Sequence, residues 1–209
     1  FIDAKGATVR SFALHLKDKH AKTTPPEVRE NMDAIALRAL DLQTATASEP
    51  GMNAFQWDLR YPPATDVAGF KNERTDDFPD AADGPTIVPG AYTVALQYGT
   101  RQTTQPLTVR LDPRVHPAPG DLEARLALES QIHETIDSLD KAIAGAQSTR
   151  DQLPPTKRVQ LDHEIANLVQ LDIHSSEGDV LRETKLREQL GFLAGSLENA
   201  YERPTAAEY

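Results

Sequence analysis

The stretches GMNAFQWDLRYP (residues 51–62) and GPTIVPGAYTVALQYGTRQTTQPLTVRLDPR (residues 84–114) decide the fold class. In the first, Phe55, Trp57 and Leu59 alternate with Gln56, Asp58 and Arg60, the period-two pattern of a strand with one buried face. In the second, Tyr92, Val94 and Leu96 alternate with Thr93, Ala95 and Gln97, and Leu107, Val109 and Leu111 alternate with Thr108 and Arg110. Pro89-Gly90 opens the middle segment with a turn, and Gly99-Thr100 lies where the chain must reverse. Residues 53–61, 91–98 and 105–111 are therefore expected as strands of a small antiparallel, Ig/fibronectin-like β-sandwich. Trp57 and Tyr92 are expected in its core, since aromatic rings contribute much buried area.

Upstream, residues 1–16 read as the end of one strand, a loop at Asp3-Ala4-Lys5-Gly6, and a second strand carrying Val9, Phe12, Leu14 and Leu16. Pro25-Pro26 then introduces EVRENMDAIALRALDLQ (27–43). Its Val28, Met32, Ile35, Ala39 and Leu42 recur at intervals of four and three, which predicts a helix inserted at about 26–46. Residues 62–86 form a long acidic loop. Asp76, Asp77, Asp80 and Asp83 with Gly84 raise a calcium reading, but their spacing does not match the EF-hand loop with its distal Glu. A solvated acidic loop is the expectation there.

Past the Pro-rich 115–120 the pattern changes from two to 3.6. Asp121 is placed to cap a long helix in which Leu122, Leu126, Leu128, Ile132, Ile136, Leu139, Ile143 and Ala146 form the apolar stripe. Leu153-Pro154-Pro155 ends it. A second helix over about 156–174 carries Leu161, Ile165, Leu168 and Val169 inward, and a third over about 179–201 carries Leu186, Leu190, Leu193 and Leu197. Short connections favour antiparallel neighbours, so about three helices are expected in a bundle with its own core. The fold class is thus α+β: a sandwich domain at 1–116, with the insertion at 26–46 and the loop at 62–86, followed by a helical bundle at 117–209. Both ends read as cut from a longer chain, Phe1 entering in mid-hairpin and Tyr209 stopping after an apparent helix start.

Composition narrows the class. Only 6% of residues are aromatic, so Leu, Ile, Val and Ala must fill the core. The formal charge of −10 argues against nucleic acid or an anionic membrane surface as partner, both of which need clustered Lys and Arg. No apolar run approaches the ~18 residues that span a bilayer. The absence of cysteine excludes disulfides, thiolate metal sites and a Cys nucleophile.

WDLRYP (57–62), PGAYTVAL (89–96) and QPLTVRLDPR (105–114) together resemble the segment after the propeller in large bacterial proteins with BNR/Asp-box repeats. Those proteins are similar to the sortilin-type propeller and are often called glycosyl hydrolases. LVQLDIHSSEGDVLRETKLREQLGFL (168–193) resembles their helical tail more loosely. No S-x-D-x-G-x-T-W box occurs, so no propeller residue is carried over. The resemblance implies a C-terminal accessory region of an exported protein, periplasmic or extracellular, with the upstream propeller or another chain as partner and oligomerisation open.

The chemistry in the residues themselves is sparse. His133-Glu134-Thr135-Ile136-Asp137 and His163-Glu164-Ile165-Ala166-Asn167 both begin as the zincin motif and lack its second His. His163 and His174 share a helix face but stand about 16 Å apart. Neither a G-x-S-x-G elbow nor a P-loop is present. Asp58, beside Trp57 and Arg60, is the most tempting single acid for a sugar contact, against the plainer reading that Asp58 and Arg60 pair on one strand face. The sequence nominates no catalytic, cofactor-binding or metal residue. It favours a non-catalytic scaffolding or assembly module, against the alternative of part of a glycoside hydrolase acting on O-glycosyl bonds; a free-standing carbohydrate-binding sandwich is a third reading.

Overall fold

Gly99-Thr100 closes a two-residue hairpin between β2 (Gly90–Tyr98) and β3 (Arg101–Val109). Gly99 sits at the first loop position with φ 56, the left-handed region that a primed hairpin turn requires there. Because the loop is so short, every residue of β2 finds a partner in register, from Tyr98↔Arg101 to Gly90↔Val109. That register moves β3 four residues earlier than the alternation at 105–111 suggests and ends it at Val109. A third strand, β1 (Ile2–Asp3), pairs antiparallel with Thr93 and Tyr92, giving the order β1-β2-β3. Counting outward from the closing pair, Thr93↔Pro106 is a non-hydrogen-bonded pair. The missing N–H of Pro106 therefore faces the outer edge of β3, where a proline costs the ladder nothing.

The computed structural model describes residues 1–13, 55–70, 83–171, 184–198, 200–206 and 208. The expected helix at 26–46, the residues Asp76, Asp77 and Asp80, and His174 lie outside them. The chain divides into two compact units, one of Phe1–Val9 with Arg60–Tyr209 and the other of Arg10–Leu59. In the smaller unit, Phe12 meets Phe55 edge to face at 4.7 Å and the Arg10 guanidinium lies 5.0 Å from the Phe12 ring.

The strand expected at 53–61 does not form over its described residues. Residues 55–58 join no sheet, and Leu59 takes φ 62, which breaks the extended run. What survives is a single bridge, Arg60↔Thr86, with the Tyr61 N–H donating to the Pro85 carbonyl at 3.0 Å. Pro62, Pro63 and Pro85 have no N–H to extend it. Gly84 is required beside this bridge, since a Cβ there would come within 2.3 Å of the Tyr61 carbonyl oxygen. Trp57 is half-buried rather than enclosed. Tyr92 is buried as expected, and its hydroxyl donates to the Val88 carbonyl at 2.6 Å.

Near the N-terminus Gly6 takes φ 85 in the loop after Asp3, and Val9 is buried. Beyond the Ile2↔Thr8 bridge, residues 9–13 are not strand.

Helix α1 (Asp121–Gln152) runs 32 residues, about 48 Å. Its N-cap is Gly120 rather than Asp121; Asp121 and Glu123 occupy the first turn, where acids complement the helix dipole. Leu153 turns extended and the Pro155–Lys157 3-10 turn leads into α2 (Val159–Leu168). The last helix, α3, spans Leu186–Glu198. The Glu188 carboxylate reaches back to the Lys185 N–H at 2.9 Å, half of a capping box, and also accepts from the Gln170 N–H at 3.1 Å. Leu186, expected in the core, is exposed: it is the first residue of α3, and its side chain leans past the helix end. Leu161 is only half-buried.

Two apolar clusters lie along α1. Ala64, Leu128, Ile132, Ile136 and Leu197 make one, with Leu190, Leu193 and Ala194 against it. Val67, Ile143, Ile165 and Val169 make the other, with Phe70, Leu139, Ala146, Leu168 and Leu171. Residues 64–70, read in sequence as part of an acidic surface loop, thus contribute Ala64, Val67 and Phe70 to the interior. The architecture is α+β, with one antiparallel sheet and three helices among the described residues.

Candidate functional site

The strap at 60–68 is held against α1 and α3 by three side-chain ties. Thr65 donates from both its N–H and its hydroxyl to Asp137 Oδ1, at 2.9 and 2.8 Å. The Gln147 amide donates to the Ala68 carbonyl at 2.8 Å. Arg60 forms an ion pair with Glu198 of α3 and donates to the Gly84 carbonyl at 3.2 Å. Arg60 thereby ties the strap to α3.

Between strap and helix opens a cleft of about 500 Å³. Tyr61, Pro62, Pro63, Thr65 and Pro85 form one wall, and Ser130, His133, Glu134, Asp137 and Lys141 form the other. The helical residues recur at three- and four-residue steps, which puts them on one stripe of α1. His133, Glu134 and Asp137, the first of the two near-zincin segments, therefore meet in this cleft.

Their surroundings restrict their chemistry. Asp137 is held down at about 2 by the Lys141 ammonium, 2.6 Å away, and by Thr65. Both of its oxygens are engaged, so it is a poor ligand and a poor base. Tyr61 is pushed up by burial and by the nearby Asp3 carboxylate, which keeps its hydroxyl protonated. In the second near-zincin segment the His163 ring and the Asn167 amide meet at 3.2 Å on the exposed face of α2. No group of three or more His, Asp or Glu side chains among the described residues is placed to hold a metal ion. Asp58 is exposed, and Asp83 with Gly84 lies at the Arg60 bridge.

The ionic groups that sequence patterning missed are in the interior. Asp140 and Arg187 are 1% and 3% exposed and share two hydrogen bonds of 3.2 Å, with the guanidinium 4.4 Å from the centre of the Phe70 ring. Arg125 and Glu129 are also buried, one turn apart on α1. The usable signal was their phase: Arg125, Glu129, Asp140 and Gln147 continue the stripe of Leu122, Leu128, Ile132, Ile136 and Ile143.

No helix among the described residues is long and apolar enough to cross a membrane. Comparison with protein-family models, with curated proteins and with solved structures returns no match.

Proposed function

We propose that the chain is a non-catalytic accessory module that scaffolds or helps assemble a larger exported β-propeller protein. In this reading the β1-β2-β3 sheet is one layer of an Ig-like sandwich and the three helices are a bundle docked behind it. The observation that carries the reading is where the acids and bases go. Arg60–Glu198, Arg187–Asp140 and Thr65–Asp137 each tie together segments distant in sequence. Side chains used as structural ties favour rigidity over turnover, because a reacting acid must be free to exchange its proton.

A glycoside hydrolase role is the rival, and the Glu134–Asp137 pair in the cleft is what favours it. Glycosidases need two carboxylates about 5–10 Å apart across a sugar-sized cleft. Against it, Asp137 is fully engaged by Lys141 and Thr65. The deciding experiment incubates the purified chain with a panel of aryl glycosides. No turnover is expected; turnover abolished by Asp58→Asn or Glu134→Gln overturns the scaffolding reading.

A further inference from the structure

Four charged side chains from three segments converge where the chain leaves α3. Arg125 and Glu129 come from α1, Glu198 from the end of α3, and Arg60 from the strap. Arg125 donates to the Glu198 and Ala200 carbonyls at 3.3 and 2.8 Å, so one buried guanidinium fastens the chain after α3 onto α1. Further out, Arg203 pairs with Asp121 at 3.5 Å and Pro204 is buried, which extends the fastening toward the start of α1. The Glu198 carboxylate belongs to Arg60, and the Thr86 hydroxyl lies 3.4 Å from it.

Glu129 fits this group poorly as an anion. Its side chain is 5% exposed, its contact with Arg125 Nε is 3.5 Å, and neither carboxylate oxygen accepts a hydrogen bond. An ion-pair contact of that length without hydrogen bonds does not offset the desolvation of a carboxylate. Besides Arg125, the charged groups facing it are Glu198 from α3 and Arg60 from the strap, and His133 stands one turn further along α1. With both glutamates ionised the four groups sum to zero, but two buried carboxylates then compete for the two guanidinium groups.

We infer that Glu129 is a proton-operated control on this latch: protonated, it leaves Arg125 to the Glu198 and Ala200 carbonyls and the chain after α3 is held tightly; ionised, it draws Arg125 away and repels Glu198, and the latch loosens. Burial raises the Glu129 carboxyl to about 7, with Glu198 adding to the rise and Arg125 and Arg60 opposing it. The latched form therefore binds the proton more tightly than the open one. Its advantage is full below the ordinary carboxylate range near 4.5 and is lost as pH rises to about 7.

The test is amide hydrogen exchange of the peptide spanning 197–206 in the full chain, corrected for intrinsic rates. Protection is expected to fall about tenfold or more between pH 5.5 and 8 in the wild type. Glu129→Gln is expected to keep the low-pH protection at both values, and His133→Gln to leave the wild-type transition in place. Wild-type protection that ignores pH, a Glu129→Gln protein that follows the wild type, or a transition lost in His133→Gln would each overturn the inference. A carbon-13 titration of the Glu129 carboxyl in the wild type decides the matter without any variant: a midpoint near 7 supports it and one near 4.5 sinks it.

Discussion

The two buried ion pairs of α1 are alike in depth and opposite in construction. Asp140 meets Arg187 side-on, through two hydrogen bonds, with Phe70 stacked on the guanidinium. Glu129 meets Arg125 at 3.5 Å with no hydrogen bond to either carboxylate oxygen. A buried charge is tolerable when its hydrogen-bonding capacity is filled and costly when it is not. The first pair is thus built to fasten α3 to the middle of α1, whereas the second is built to change its charge. Burial alone does not distinguish them; the donors do.

Breaking the stronger pair should have the largest effect. Arg187→Ala removes the cation from a carboxylate that is 1% exposed, and should cost about 3–5 kcal/mol in urea unfolding. Replacing both partners, as Asp140→Leu with Arg187→Met, should recover most of that loss. A loss under about 1 kcal/mol in the single variant would mean that Asp140 is not held by this pair. Next in size is Leu190→Asp, which puts a carboxylate against the Leu128, Ile132 and Ile136 cluster and should cost about 2–4 kcal/mol. An unchanged melting temperature would remove Leu190 from that core.

The weaker pair predicts a gain. Glu129→Gln removes the charge and keeps the shape, so it should match the wild type at pH 4 and exceed it by about 1–2 kcal/mol at pH 8. The sign follows from the raised carboxyl near 7: the stability that protonated Glu129 contributes is lost as pH climbs from about 4.5 to 7. Equal stability of the two proteins at pH 8 would show that Glu129 finds its donors after all. The pH series thereby sharpens the contrast with Asp140.

How much of this was legible depends on which residues carry the pattern. The hairpin was, because alternation through Tyr92, Val94 and Leu96 coincides with a turn that only Gly99 makes easy. So was the extent of α1, because proline follows it at once. The polar members of its buried stripe were not, because a hydrophobicity reading steps over Arg125, Glu129 and Asp140 to the nearest leucine or alanine. Leu139 and Ala146 were expected inside, and their neighbours Asp140 and Gln147 occupy the deeper positions. The strand at 53–61 failed for a local reason, since nothing in a period-two pattern reports that Leu59 will adopt φ 62. The cleft was illegible for a similar cause: His133 and Glu134 were visible in sequence, but the facing wall takes Tyr61 from the end of the expected strand and Pro62 and Pro85 from the segment read as loop.

The smallest expected effect lies in the sheet, and it tests whether alternation implies burial. Tyr92, Val94, Leu96 and Tyr98 share one face of β2, yet exposure rises along it from 7% at Tyr92 to 50% at Leu96 and 81% at Tyr98. Their partners on β3 change in step, from Leu107 opposite Tyr92 to Thr103 and Arg101 opposite Leu96 and Tyr98. The pattern is continuous, but the material that buries it is not. Tyr92→Phe, which removes the hydroxyl donated to the Val88 carbonyl, should cost about 1 kcal/mol. Leu96→Thr places a β-branched strand former at an exposed site and should change stability by no more than about 0.5 kcal/mol. A loss of about 2 kcal/mol from Leu96→Thr would instead mean that the far end of this face is covered in solution, and the second layer of a sandwich would be the first candidate to cover it.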